Sequence, residues 1–230
     1  ERVVFTPSCT YALNAAIFGL YKKGGRVIAT VTEHNSVLRP LYELERRGEI
    51  TLTIVTPESS AVTAADIEKN LSDDVCLVCV NGVSNVTGTE NDIDGIGRLL
   101  KKTNALFLVD GAQMSGHAPI NVEKQAIDAL CVPSHKGMLG IVGAGALILS
   151  NKARIRPFAF GGTGFDTFSK TMPEDLPESL EAGTLNLPAC LSMKEGADYL
   201  SDNVNYVSNQ LKNMTEYLIS ELSVRPYVKL

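Results

Sequence analysis

The 230-residue sequence is short of several things, and each shortage removes a class of protein. It has no excess of positive charge: 21 lysines and arginines stand against 26 aspartates and glutamates, for a net charge of -5. A nucleic-acid surface needs a basic stripe, so this balance argues against such a partner. No apolar run approaches the ~20 residues of a membrane span. No signal-peptide pattern opens the chain, which passes from Glu1-Arg2 straight into Val3-Val4-Phe5. Disulfides find no support either. The five cysteines are odd in number and lie in apolar settings, which fits buried, reduced thiols in the cytoplasm. Cys76-x-x-Cys79 has redox or metal spacing, but residues three apart on a strand point to opposite faces, so core packing is the expected role. There is no internal repeat, no low-complexity tract and no His/Cys/Asp spacing that suits a metal.

What is present is an ordinary globular composition, 44% hydrophobic and 20% charged. Short, β-branched runs apolar on both faces predict strands at 2–6, 26–31, 51–55, 75–80, 106–109, 129–132 and 144–149. Helical periodicity fills most of the gaps, at 10–22, 36–47, 64–71 and 93–102. This βαβ succession predicts a three-layer α/β/α domain on a mainly parallel, seven-stranded sheet. Residues 157–183 are rich in Gly, Pro and Thr, too long for a simple connection, and are expected to be functional. From Leu187 to Leu222 helical periodicity returns. The expected organisation is a large domain over 1–186, then a helix within 187–230 leading toward a second domain that is mostly absent. The abrupt opening in a strand predicts a piece of a longer chain.

In a sheet of this kind ligands gather at the carboxyl ends of the strands. The first strand ends in Thr6-Pro7-Ser8-Cys9-Thr10 and feeds a helix, where small residues suit a phosphate or plain capping by Ser8 or Thr10. The second ends in Glu33-His34-Asn35-Ser36: His34 is a structural histidine or a ring that stacks on a flat ligand, and Asn35 or Ser36 is expected to cap. The fourth runs into Ser84-Asn85-Val86, where Asn85 either shapes a turn or holds a ligand. The fifth ends in Asp110-Gly111-Ala112-Gln113. A carboxylate closing an apolar strand needs a partner, which a protonated ring nitrogen, a metal or a helix terminus would supply.

The sixth strand leads into Pro133-Ser134-His135-Lys136-Gly137. A lysine between two apolar runs is exposed to desolvation, which favours a neutral amine able to form a Schiff base with an aldehyde. Ser134, His135 and the following glycines offer donors for a phosphate, and an aldehyde carrying a phosphate suggests pyridoxal phosphate. Gly140-x-x-Gly143-x-Gly145 is not a dinucleotide fingerprint, because it runs into a strand and not out of one into a helix.

The words Phe5-Thr6-x-x-x-Thr10-x-Ala12-Leu13-Asn14, Glu33-His34-Asn35-Ser36, Ser84-Asn85-Val86-x-Gly88, Val109-Asp110-Gly111-Ala112-Gln113, Ser134-His135-Lys136-Gly137 and Glu181-Ala182-Gly183-Thr184-x-Asn186 occur in this order along nearly the whole chain. In them the chain resembles the class V aminotransferase and cysteine desulfurase family, of pyridoxal-phosphate fold type I. The resemblance implies that Lys136 carries the cofactor and shuttles protons, that His34 stacks on the ring and assists the acid–base steps, and that Asp110 pairs with the ring nitrogen. It further implies that Gln113 contacts the phenolic oxygen, that Asn85 lies near ring and substrate, and that Cys9, Thr10, Ser134 and His135 bind the phosphate. Thr163, in Gly161-Gly162-Thr163-Gly164, would reach the phosphate of the neighbouring subunit in a homodimer.

Three positions depart from the family's pattern. Pro7-Ser8-Cys9-Thr10 stands where relatives have a Gly-Ala-Thr turn, and Ser179 stands where an Arg is common. At the third, Cys190 heads a helix where relatives have a small residue and is a poor nucleophile, so the resemblance implies that the persulfide-forming cysteine and the arginines for the substrate carboxylate belong to a C-terminal part outside these residues. The resemblance implies desulfuration of cysteine to alanine with a persulfide left on the enzyme, and a sulfur-acceptor protein as partner. Transamination or a lyase reaction on another amino acid uses the same ring chemistry. A non-catalytic remnant that binds cofactor or associates with itself is the third reading.

Overall fold

A computed structural model of the protein describes residues 2–228. Seven strands and five helices follow in the order β1 (Val3–Thr6), α1 (Cys9–Leu20), β2 (Arg26–Thr30), α2 (Asn35–Arg46), β3 (Thr51–Val55), α3 (Ala64–Glu68), β4 (Val75–Asn81), α4 (Ile93–Leu100), β5 (Leu106–Asp110), β6 (Ala129–Pro133), β7 (Gly145–Leu149) and α5 (Leu187–Ser223). The sheet order is β1-β7-β6-β5-β4-β2-β3. Pairings among β2, β3, β4, β5 and β6 are parallel, and β7 lies antiparallel to both β6 and β1. Only β7 therefore runs backwards, so the carboxyl ends of β1, β2, β4, β5 and β6 share one edge.

Alternation along the strands makes the two faces of the core. On β5, Leu108 packs toward α1 and α2, whereas Phe107 and Val109 pack on the opposite side with Ile96 and Leu100 of α4. On α2, Val37, Leu41 and Leu44 face inward at helical spacing, leaving Arg39, Arg46 and Arg47 outside. α1 lies against α2 and strands β5 to β7 and is buried almost all round, including Ala12, Leu13, Ala15, Ala16, Ile17 and Leu20. The result is the three-layer α/β/α arrangement expected from the strand and helix spacing.

The fate of Cys76 and Cys79 differs in detail from expectation. Both pack on the α1–α2 side of the sheet. The register between β2 and β4 slips between Arg26 and Val27, so Cys76 is skipped by the ladder and the alternation resets behind it. Both are free thiols, and Cys76 Sγ donates to the Arg26 carbonyl at 3.3 Å.

The segment 157–183 contains no helix or strand but is anchored near both ends. Phe158 stacks on Phe18 and meets Tyr11 edge-on, and Glu181 accepts the Phe5 amide at 2.7 Å. α5 buries Ala189, Cys190, Met193, Gly196 and Leu200 in its first half, and its buried side chains end there. No helix among the described residues is long and apolar enough to cross a membrane.

Candidate active site

The reversed strand β7 makes the site possible. The chain leaves β6 at the carboxyl edge, turns through 134–144 and re-enters the sheet at that edge, pairing Gly145 with Pro133. Lys136 is thereby held on a loop tied down at both ends. Two glycine contacts seat that loop. Gly116, at φ 76°, leaves room only for the backbone of Gly137, and Gly145 lets the Pro7–Cys9 turn approach so closely that a Cβ would meet Cys9 N at 2.8 Å.

A cavity of about 230 Å³ opens at this edge, and each strand end sends something into it. From the β1–α1 turn come Ser8, Cys9 and Thr10. Ser8 caps α1, its hydroxyl accepting the Tyr11 amide at 3.2 Å, which leaves Thr10 in the first helical turn with its side chain exposed. From the β2–α2 turn comes His34. The cap of α2 is His34 itself, not Asn35 or Ser36: its Nδ1 accepts the Ser36 amide at 3.1 Å. An Nδ1 that accepts cannot carry the proton of a neutral ring, so that proton sits on Nε2.

Asn81, Val83 and Asn85 enter from the end of β4, and Asp110, Ala112 and Gln113 from the end of β5. Asp110 is 5% exposed. Its Oδ1 accepts the Ala112 amide at 2.9 Å and the Cys9 thiol at 3.9 Å. Burial pushes its carboxyl above the usual range, against the Ala112 hydrogen bond and the nearby charges of His34 and Lys136. Burial, followed by the charge of Asp110, also pushes the Cys9 thiol up, so Cys9 is a neutral donor here.

Pro133, His135 and the half-buried Lys136 complete the wall. The structure does not bring Ser134 to it. Alternation carries past the end of β6, so Pro133 and His135 face the cavity while Ser134 turns the other way, against Gly140. Its hydroxyl is buried and has no hydrogen-bond partner among the described residues. Thr163 lies in the 157–183 segment, away from this lining, with its hydroxyl accepting the Phe165 amide at 3.4 Å.

Sequence reasoning passed over two residues here. Ser36 joins Thr10 to His34, its hydroxyl lying 2.8 Å from Thr10 Oγ1 and 2.9 Å from His34 Nδ1. Its position two residues beyond a strand-end histidine was the available signal. Glu33 is 6% exposed, and its Oε1 takes the Thr30 hydroxyl at 2.6 Å, the Asn81 amide at 2.9 Å and Asn81 Nδ2 at 3.1 Å. It ties the β2–α2 turn to the end of β4. Burial outweighs those donors and pushes its carboxyl up to about 8.

The buried Asp110 carboxylate tests what this cavity accepts. It forms no salt bridge among the described residues, faces the cavity, and is suited by a group bearing a protonated nitrogen. The same cavity holds an amine at Lys136 and hydroxyl and amide donors at the start of α1, which suit an aldehyde and a phosphate. The residues present fit pyridoxal 5′-phosphate.

Comparison with known proteins agrees with this chemistry. A probable cysteine desulfurase of Methanothermobacter thermautotrophicus is 32% identical over 229 residues, covering 97% of this chain and 57% of that protein. The structure of an apo cysteine desulfurase from Thermococcus onnurineus superposes with a TM-score of 0.84 at 28% identity, over 98% of this chain and 59% of that one. A cysteine desulfurase of Escherichia coli shares the fold with a TM-score of 0.89 at 21% identity, over 98% and 59% of the two chains. The chain thus spans less than two thirds of the relatives it matches. The family model for class-V aminotransferases matches residues 1–230. With that match along its length and this site at its carboxyl edge, the chain belongs to the class-V aminotransferase family of pyridoxal-phosphate-dependent enzymes.

Proposed function

We propose that this chain is the cofactor-binding part of an enzyme that removes sulfur from cysteine, converting cysteine and an enzyme thiol to alanine and an enzyme persulfide. The observation that carries the cofactor reading is Asp110, a buried carboxylate that forms no salt bridge among the described residues and faces the cavity that also presents Lys136. When bound, pyridoxal 5′-phosphate supplies an aldehyde and an electron-accepting pyridinium ring. Asp110 keeps the proton on the ring nitrogen by its charge. Lys136 supplies the amine that attaches the cofactor and moves a proton at the substrate's α-carbon. Thr10, Cys9 through its backbone, and His135 hold the phosphate, while Gln113 and Asn85 offer amides to the ring substituents. His34 presents Nε2–H from the α2 turn. Desulfuration, as the particular reaction, is supported by the names of the relatives.

Burial pushes up the thiols of Cys9, Cys79, Cys131 and Cys190, which disfavours the thiolate that sulfur transfer needs. Cys76 sits at the start of β4, the far edge from the cavity. None of the five is a good acceptor of sulfur, and the proposal assigns that step to a thiol beyond this segment. The division into a large domain over 1–186 and a helix within 187–230 leading to a second domain belongs to the same proposal. So does a homodimer. Phe160, Phe165 and Phe168 are exposed on the segment that carries Thr163, and Leu139, Ile141 and Val142 are exposed on the Lys136 loop. Apolar surface so concentrated suits a second copy of the chain, which would bring Thr163 to its neighbour's phosphate. A sulfur-acceptor protein is the remaining partner of the proposed reaction.

The test is a visible spectrum of the chain with pyridoxal 5′-phosphate, followed by borohydride reduction and peptide mapping. Absorbance in the visible and a label on Lys136 are expected, both lost in Lys136→Ala. A label on Lys152 or Lys170 refutes the assignment. Lys152 donates to the Ala105 carbonyl at 2.9 Å beyond the end of β7, on the opposite edge of the sheet.

A further inference from the structure

Two asparagine side chains close the base of the loop that brings Asn85 to the cavity. β4 ends at Asn81, and the chain passes through residues 82–92 before α4 begins. Asn91 spends both hydrogens of its Nδ2 on that strand end, one on the Asn81 carbonyl at 2.9 Å and one on Asn81 Oδ1 at 3.1 Å. Its Oδ1 accepts the Val62 amide at 2.8 Å, and its backbone amide donates to the Gly82 carbonyl at 3.1 Å. Asn81 is 4% exposed and equally committed, its Nδ2 donating to the Thr32 carbonyl at 2.7 Å and to Glu33 Oε1 at 3.1 Å. Each amide meets an N–H on its oxygen side and oxygens on its nitrogen side, so neither can flip without losing partners.

Between those two residues the loop is tied across itself. Val83 and Glu90 form an antiparallel bridge, and the Ser84 amide donates to the Thr89 carbonyl at 2.9 Å. Asn85 opens the turn at the far end, with its side chain exposed at the cavity. The hydrogen bonds of this turn go to Ser84, whose hydroxyl accepts the Val86 and Thr87 amides at 3.3 Å, and among the described residues none goes to the Asn85 side chain. The aim of Asn85 therefore depends on the loop beneath it. Through Asn81 the base of that loop is joined to Thr32 and Glu33, immediately before His34. The wall that presents His34 and the wall that presents Asn85 share one set of hydrogen bonds.

We propose that Asn91 is a positioning residue that acts through Asn81 to hold the Asn85 turn over the cavity. The inference rests on the reading of Asn85 as an amide offered to the cofactor ring. Without Asn91, the Asn81 carbonyl and Oδ1 lose their donor, and Asn85 is left on a loop closed only by its own backbone. Water can replace the lost bonds but cannot aim the turn. An amide already aimed loses less conformational freedom on binding, so Asn91 adds to affinity only while Asn85 is there to be aimed.

The experiment is a double-mutant cycle on the 230-residue chain. Affinity for pyridoxal 5′-phosphate is read from the growth of the visible band, and stability separately by urea denaturation. Asn85→Ala should weaken binding between about twofold and about tenfold, the contribution of one neutral hydrogen bond. Asn91→Ala should weaken it by a comparable factor, and by almost nothing when residue 85 is already alanine, while its loss of stability is the same in both backgrounds. If Asn91→Ala does not fold, Asn91→Asp takes its place in the cycle, because it keeps an oxygen on the Val62 amide and lacks the Nδ2 hydrogens. In a second arm, free of cofactor, hydrogen exchange at the Ser84 amide should quicken severalfold more in Asn91→Ala than exchange at Val78 in the middle of β4. An Asn91→Ala effect of equal size in both backgrounds overturns the proposal. So does an Asn85→Ala change that leaves affinity untouched, or exchange at Ser84 that changes no more than at Val78. Failure of the functional reading shows elsewhere, as a parent chain with no visible band, and the exchange arm then decides whether Asn91 holds the turn.

Discussion

Replacing Glu33 with glutamine should change how the stability of the fold depends on pH. Glu33 is buried, its Oε1 is taken by Thr30 and Asn81, and its Oε2 has no partner among the described residues. Burial raises its carboxyl from 4.5 to about 8. Below pH 4.5 both folded and unfolded chains hold the proton. Between 4.5 and 8 the unfolded chain has released it and the folded chain has not, so folding requires proton uptake and stability falls as pH rises. Above 8 both are ionised and the loss is complete. At about 1.4 kcal/mol per pH unit the interval amounts to ~5 kcal/mol, comparable to the whole stability of a small domain. Glutamine keeps its oxygen on the same three donors and never ionises. Its amide hydrogens replace an unpartnered oxygen, at a pH-independent cost of about 1–3 kcal/mol. The assay is urea denaturation of both proteins at intervals from pH 5 to pH 9. Subtracting the curves removes every other titrating group, and the variant should gain on the parent steadily up to about pH 8, then run level. A difference that stays flat across the range would show that Glu33 is ionised in the fold, and the argument from burial would be wrong.

Further outcomes follow from the same geometry. Gly116→Ala puts a methyl group into the Gly137 backbone at a φ of 76°. It should cost several kcal/mol by overpacking and left-handed strain, and lower the affinity for pyridoxal 5′-phosphate by unseating the Lys136 loop. Unchanged melting and binding would refute the seating. The 230-residue chain should release little sulfide from cysteine, because its buried thiols are held neutral; robust release that one Cys→Ser change abolishes would show the nucleophile to be among these five.

Most of the fold was legible because each element declares itself locally. The β5 run Leu106–Asp110 is apolar on both faces, as a strand covered by two layers must be, and α2 shows its Val37, Leu41 and Leu44 stripe plainly. The common carboxyl edge of the strands then gathered most of the candidate residues without further information. What failed depended on geometry that spacing cannot carry. Ser134 was placed by adjacency to Lys136, yet alternation past the last ladder pair turns it away and brings Pro133 in. His34, not its polar neighbours, became the helix cap because its ring reaches back to the Ser36 amide. Cys76 changed face through a bulge that only the pairing with β2 reveals. Glu33 was invisible as a site residue, and Ser36 offered only its place two residues beyond a strand-end histidine, because their roles consist of contacts across separate elements.

Glu33 and Asp110 are two buried acids at neighbouring strand ends, and their different partners divide their roles. Glu33 Oε1 is saturated by donors from β2 and β4, out of the cavity, so the proton it keeps near neutral pH costs the site nothing. Asp110 faces the cavity, where its charge is wanted opposite a ring nitrogen. The charge of Asp110 is itself one cause of the raised Glu33 carboxyl, ranking below burial. Asp110→Asn should therefore lower the pH at which the Glu33→Gln difference curve levels, but only slightly, because burial remains. The variant should also weaken the visible band formed with pyridoxal 5′-phosphate, since asparagine cannot hold a proton on the ring nitrogen by charge. The measurement repeats the paired urea titrations in an Asp110→Asn background. If the levelling point falls to about pH 4.5, Asp110 and not burial holds Glu33 protonated. If it rises, the two acids do not repel each other through the end of β4, and the division of roles is mistaken.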